Sequence, residues 1–360
     1  MKKVALAAIA ISTLIAITGC SANGNPILPT QTPTPTPVYV TAPLTGIKYE
    51  EGTPQANQIK RPSVACKIDN SEAARPQLGL NSTDVVFDEM VEGGLTRLVA
   101  IWQSNQPAAI GPVRSIRPMD PDIISPFGGI VCFSGGQRRF VEMMGATKVF
   151  NASETTEQGK GTFSRSTDRS APHNVIVDVS KLAEHHPEIA APQMMFDFAP
   201  DLAGATATTA GKALKKITAR FPAATATWTP DSTGASLLRT QDGKMHTDAA
   251  DGSQLRATNV VVLDVGIDRS YLDHKYGNVP KTVMNSSGTA YIFSVDHYIK
   301  AKWSKADQTS KILLMDSTGA AILLAPGNTW IELLPRAPEG KLTIEAAPVA
   351  SESPSPVASK

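Results

Sequence analysis

From Arg61 onward, short apolar runs alternate with loops punctuated by glycine and proline. Residues 63–68, 85–87, 97–102, 130–133 and 174–179 read as buried strands bounded by turn signals. Phe140, Val141 and Met144 recur at helical spacing, so 137–145 predicts a helix, whereas 121–125 fits one poorly. Interleaved strands and helix predict a mixed α/β domain over 58–205. An Ala/Thr/Gly-rich connection over 199–213 follows, and the pattern then changes. Residues 225–229, 236–240, 259–265, 290–294, 299–303, 312–315 and 321–324 are short β-like runs with turns such as Gln241-Asp242-Gly243 between them. They predict a smaller β-rich domain over 212–345.

The ends follow other rules. Lys2 and Lys3 precede an apolar run over 4–17, broken by Ser12 and Thr13, and then Thr18-Gly19-Cys20. The run falls short of the roughly 20 apolar residues of a membrane span, and the charged start makes 1–19 a signal peptide. Ile17-Thr18-Gly19-Cys20 resembles the bacterial lipobox, with Ile17 where leucine is usual. That resemblance makes Cys20 the lipidated first residue, with palmitate among its acyl chains, and the membrane a partner through this lipid. Seven prolines over 20–57, including the Thr-Pro alternation of 32–37, predict a disordered tether. A Ser/Pro-rich tail over 346–360 is expected to be disordered as well.

The chain has 34 Lys+Arg against 33 Asp+Glu in 360 residues. Removing Lys2 and Lys3 with the leader leaves 34 − 2 = 32 positive side chains against 33 negative. This balance excludes a composition argument for nucleic acid. With Cys20 taken by lipid, Cys66 and Cys132 remain in apolar runs, where a disulfide and two buried thiols are both open. No Gly-x-Gly-x-x-Gly, P-loop or Gly-x-Ser-x-Gly spacing occurs, so no cofactor and no serine-hydrolase elbow are expected. Glu184-His185-His186-Pro187-Glu188 lacks zinc-protease spacing and reads as a solvated helix end, so no metal site is expected.

Unusual residues concentrate in loops that follow predicted strands: Asp69-Asn70, Ala74-Arg75-Pro76-Gln77, Val91-Glu92-Gly93-Gly94 with Thr96-Arg97, Gly111-Pro112-Val113-Arg114-Ser115 with Arg117, Gly135-Gly136, and Ala171-Pro172-His173-Asn174. With His246, Asp248, Asn259-Val260-Val261 and Pro326-Gly327-Asn328-Thr329-Trp330, this ordered set resembles the YerB-like bacterial lipoproteins over nearly all of 61–336. The resemblance implies a mixed α/β N-terminal domain, a smaller β-rich companion and an envelope location, and it implies no reaction. Phe87-Asp88 stands where the family usually shows Tyr-Glu, and Phe133 where histidine is frequent.

Guanidinium forks recognise carboxylate or phosphate bidentately, so Arg75, Arg97, Arg114 and Arg117 form a candidate anion site. Gly93, Gly94, Gly135 and Gly136 shape its loops and let backbone approach a ligand. Ion pairs with Asp69, Asp88 or Glu92 are the structural alternative. Asp69, Glu92 and His173 are the candidates for acid/base chemistry, and Asn70, Gln77, Asn174, His246 and Asp248 are secondary site candidates. Trp303 and Trp330, with Tyr298, could line a glycan or peptide groove, or pack in the core. Three functions are consistent with these features. They are a lipid-anchored binding or scaffold protein with an anionic envelope ligand or envelope protein as partner, an envelope hydrolase or transferase, and a transporter substrate-binding lipoprotein.

Overall fold

A run such as Val64-Ala65-Cys66-Lys67-Ile68-Asp69 has no polar face, and strands of this kind are stable only in a sheet covered on both sides. The computed structural model, which describes residues 36–273 and 277–348, contains such a sheet. Ten strands follow one another in the order Phe150–Ser153, Ile130–Phe133, Val64–Asp69, Thr96–Trp102, Val85–Met90, Thr329–Pro335, Asn259–Asp273, Ser287–Ser294, His297–Ser304 and Leu313–Met315. Thr96–Trp102 runs antiparallel to both neighbours, while Thr329–Pro335 is parallel to both of its own. The two halves that composition separates near residue 199 therefore share this sheet.

One face buries Ala65, Phe87, Val99, Val131, Leu263 and Leu333, packed with Ile123 and Ile124 of the Asp120–Ile124 helix and Phe140 and Met144 of the Arg138–Gly145 helix. The other face buries Cys66, Val86, Ala100, Trp102, Val262 and Trp330. It is covered by the Val179–Glu184 helix and by a second, antiparallel sheet that includes Lys341–Ala346, Lys212–Arg220, Thr225–Pro230 and Leu237–Gln241. Cys66 and Cys132 face each other in register on parallel strands, with Cα atoms 4.5 Å apart, and are joined by a disulfide.

Several expectations are corrected. Among the described residues strand outweighs helix, and the helices are short and lie mostly in the N-terminal part. The tether expected through residue 57 ends earlier. Tyr39–Thr41 pairs with Lys48–Glu50, Ala42 and Leu44 are fully buried, and Pro54 opens the Pro54–Gln58 helix, a position where its missing N–H costs nothing. Pro121 likewise lies in the first turn of Asp120–Ile124, which the sequence reading disfavoured as a helix. The supposed connection over 199–213 contains the Thr206–Ala210 helix and enters Lys212–Arg220, and 321–324 makes only isolated bridges. His186, expected in a solvated helix end, is buried against Phe150 with ring centroids 3.9 Å apart. Cys20 and nearly all of the expected tail lie outside the described residues.

Candidate functional site

Val64–Asp69, Val85–Met90 and Ile130–Phe133 run in one direction, and their carboxyl ends open where sheets of this type leave room for ligands. With the start of Thr96–Trp102 and the loops at 114–117 and 173, they enclose a cleft of about 550 Å³. Asp69, Ser71, Glu92, Arg97, Arg114, Arg117 and His173 line it, with Gly136 and Gln137 at the start of the Arg138–Gly145 helix. That helix has no side-chain cap, so its first-turn N–H groups add to the positive field. A β-carbon on Gly136, whose φ is +158°, would lie 2.9 Å from Ile116 Cγ2. One on Gly94, at φ +73°, would lie 2.7 Å from Pro222. Both loops therefore depend on glycine.

Arg97 donates to the Ser115 carbonyl at 3.1 Å and makes no ion pair among the described residues. Burial, and then the like charges of Arg117 and Arg114, lower its pKa to about 10, so it remains protonated at neutral pH. Arg117 Nε meets Glu92 Oε2 at 2.9 Å, and its Nη1 donates to the Ile116 carbonyl at 2.9 Å. Arg114 Nε meets Asp69 Oδ2 at 2.9 Å. Three guanidinium groups against two carboxylates leave one positive charge uncompensated in the cleft.

Asp69 also meets His173, with Oδ2 and Nδ1 2.7 Å apart, and accepts the Ser71 N–H on Oδ1 at 3.0 Å. Burial raises the Asp69 pKa, but the Ser71 N–H, Arg114 and His173 outweigh it and hold the carboxyl below its ordinary range. An ionised Asp69 assigns the proton to His173 Nδ1 and leaves Nε2 for a ligand in the cleft. Glu92 is held low in the same way, with burial opposed by Arg117. Asp69 and Glu92 thus serve different arginines.

Beneath the cleft, Lys67 Nζ lies 2.7 Å from Asp120 Oδ1 and pairs with Glu89, all three being buried. Asp120 also accepts the Arg117 N–H, so this triad anchors the arginine loop. Burial lowers the Lys67 pKa to about 8, against the pull of Asp120. A second buried network reaches the site from the other face. Arg239 Nη1 donates to Glu332 Oε1 at 2.7 Å, Nη2 to Asp88 Oδ2 at 2.6 Å, and Nε to His246 Nδ1 at 3.2 Å. His246 must then donate from Nε2 to Gln77 Oε1, at 2.7 Å, and Gln77 Nε2 donates to the Asp69 carbonyl at 2.9 Å and to Asn70 Oδ1 at 3.1 Å. Burial, then Arg239 and Arg75, keep the His246 pKa far below its ordinary value, so the ring is neutral.

Three of the four candidate arginines converge and the fourth does not. Arg75 pairs with Asp242 at 2.9 Å and lines an adjoining depression. Asp248 accepts the Gly79 and Asn81 N–H groups, each at 2.8 Å, and fixes a loop rather than lining the cleft. Asn174 accepts from Arg165 at 3.0 Å and is also outside the cleft, and Gly93 and Gly135 are turn residues at positive φ. Trp303 and Trp330 are core residues, and Arg239 stacks over the Trp330 ring at 4.7 Å. Arg239 and Glu332 escaped sequence reasoning, as did Lys67, Glu89 and Asp120. For Lys67, Glu89 and Glu332 the available signal was a charge inside an otherwise apolar strand, whereas Asp120 opens the Asp120–Ile124 helix. Among the described residues, no group of three or more His, Cys, Asp or Glu could hold a metal ion.

Residues 44–191 match the profile described as the N-terminal domain of "Protein of unknown function (DUF3048)", and residues 217–331 match its C-terminal domain. The chain belongs to the YerB-like family. A relative from Bacillus subtilis (strain 168), described as "Putative lipoprotein YerB", is 26% identical over 311 residues, 82% of this chain and 86% of the relative. The crystal structure of the YerB protein from Bacillus subtilis superimposes with a TM-score of 0.70 at 21% identity, covering 84% of this chain and 99% of that one, which shows the shared fold. In this YerB-like chain, no helix among the described residues is long and apolar enough to cross a membrane.

Proposed function

We propose that this chain is a lipid-anchored protein of the cell envelope that holds an anionic ligand in the arginine cleft and acts there as a binding or scaffold protein. The observation that carries the reading is Arg97, a charged guanidinium in a walled cleft with one carbonyl acceptor and no carboxylate. A site with excess positive charge and a free bidentate fork suits phosphate or carboxylate. The leader that ends just before Cys20, the relative's description as a lipoprotein, and a disulfide, which belongs to oxidising compartments, support an extracytoplasmic location. One continuous sheet, instead of two comparable lobes, favours this reading over a transporter binding protein.

Calorimetry and thermal melts with inorganic phosphate, pyrophosphate, phospholipid headgroups and muropeptides test the site. At least one of these should raise the melting temperature of the parent protein. Arg97→Lys should abolish that shift while changing unliganded stability by only about 1 kcal/mol, since one hydrogen bond to a carbonyl and no ion pair is at stake. No response to any of these anions removes the reading. For the anchor, Cys20→Ala should move the protein from the membrane fraction into soluble or precursor forms, and unchanged membrane retention would refute it.

The hydrogen bond between Asp69 and His173 favours a second reading, an envelope hydrolase or transferase with His173 Nε2 as base. Glu92, held by Arg117, takes no part in that pair.

A further inference from the structure

The cleft does not end at its own walls. It shares Ser71, Leu95 and Thr96 with a second depression of about 360 Å³, which in turn shares Ala223, Ala224 and Asp242 with a third of about 430 Å³. The three form one groove, running from the arginine cluster at the sheet's end to the Lys212–Arg220 and Thr225–Pro230 hairpin. Its continuity depends on a close backbone contact, in which the Ala223 N–H donates to the Gly94 carbonyl at 2.9 Å and Gly94 packs against Pro222.

Charge and apolar floor alternate along this path. Beyond the cleft, the outer depressions contribute Arg75, Lys244 and Arg220 against Glu72 and Asp242, an excess of one positive charge on top of the cleft's own. Lys244 and Glu72 pair at 2.6 Å on highly exposed side chains, and pairs of this kind are weak enough to exchange partners for a ligand's anion. Arg220 makes no ion pair among the described residues. Between the charged stations lie Leu95, which is 46% exposed, and the alanine pair Ala223 and Ala224. Such a surface is too long for a single small anion. It matches a chain in which anionic groups are separated by uncharged units.

We infer that the groove binds an extended phosphodiester-linked polymer, one phosphate seated among Arg97, Arg114 and Arg117 and later units lying over Leu95 and Ala223 toward Lys244 and Arg220. Donors converge on the cleft from three loops and from the helix start at Gln137, an arrangement that suits a tetrahedral group better than a planar carboxylate. Arg75, the candidate arginine that lies outside the cleft, then has a place as an outer station. This inference deepens the proposed anion site and rests on it.

The test uses the whole mature chain and glycerol-phosphate oligomers of one, three and six units as probes, with affinity measured by calorimetry at fixed salt. Affinity should rise by roughly tenfold or more from the single unit to the six-unit chain, the equivalent of one added charged contact. The double variant Arg220→Ala, Lys244→Ala should bind the single unit as the parent does and lose most of the gain with length. Arg97→Lys should weaken every length. Single-unit binding with no length gain in the parent overturns the polymer inference and leaves the anion site standing. A length gain that survives in the double variant also overturns it, because the gain would then come from statistical repetition of one site. No binding at any length overturns this inference and, together with the other anions, the site itself.

Discussion

Arg97 and Arg239 carry the same side chain into opposite roles, and the difference lies in what surrounds each fork. Arg239 is fully buried and spends its donors on Asp88, Glu332, Gln241 and His246, whereas Arg97 keeps a single carbonyl. Only Arg97 has capacity left for a ligand. The cleft arginines were legible because they stand in or directly after glycine- and proline-rich loops that follow predicted strands, where open sheets place ligands. Arg239 was not. In Leu237-Leu238-Arg239-Thr240-Gln241 a charge inside a β run reads as solvent-facing, yet Leu237, Arg239 and Gln241 all point inward. One arginine facing two carboxylates makes this cluster sensitive to pH. Burial pushes the Glu332 pKa up to about 7, with Arg239 opposing and Asp88 adding to the rise. A carboxyl raised in the folded state contributes stability that is fully present below its unfolded value near 4.5 and lost as pH rises through about 7. Glu332→Gln can still accept from Trp228 and Arg239 and cannot titrate. The melting temperature of the parent relative to this variant should therefore fall between pH 5 and pH 8, and a constant difference would show that Glu332 stays ionised throughout.

At the level of elements, the strands with no polar face were the most readable: Val64–Asp69, Thr96–Trp102 and Ile130–Phe133 each match the expected run to within a residue or so. Lys212–Arg220 was hidden because its leading residues are exposed and follow the Ala/Thr-rich stretch, so neither composition nor alternation marks its start. Only Thr329 and Trp330 of Thr329–Pro335 stand out in the sequence, because its seven buried residues mix polar and apolar types without alternation. The disulfide required pairing information that sequence does not hold. Each cysteine sits in a readable strand, but only the parallel register of those strands brings Cys66 opposite Cys132. The bridge closes a loop of 66 residues, and in the chain-entropy account a loop of that size contributes roughly 4 kcal/mol. Unfolding in denaturant should therefore shift to a clearly lower midpoint under reducing conditions, and Cys66→Ala with Cys132→Ala should reproduce the shift. If the midpoints coincide with and without reductant, the bridge does not hold the strands together in solution.

For the whole molecule, the decisive contact is the insertion of Thr329–Pro335 between Val85–Met90 and Asn259–Asp273. Composition divides the chain near residue 199, and the two family profiles also leave a gap between 191 and 217, yet the sheet has no matching seam. Pairing between segments more than 200 positions apart leaves no local signature, so no reading of periodicity could find it. Its consequence for folding can be tested. A fragment of residues 58–205 would expose the edge of Val85–Met90, which normally pairs from Thr329↔Val85 to Leu333↔Glu89, and would leave Asp88 buried without Arg239. An unprotected apolar edge aggregates, and breaking a buried ion pair costs about 3 to 5 kcal/mol. The fragment made alone should be insoluble or lack dispersed amide resonances, while the intact chain should melt in one cooperative calorimetric transition. Two resolved transitions, or a well-dispersed spectrum from the isolated 58–205 fragment, would show that the halves fold independently and that the shared sheet forms by docking.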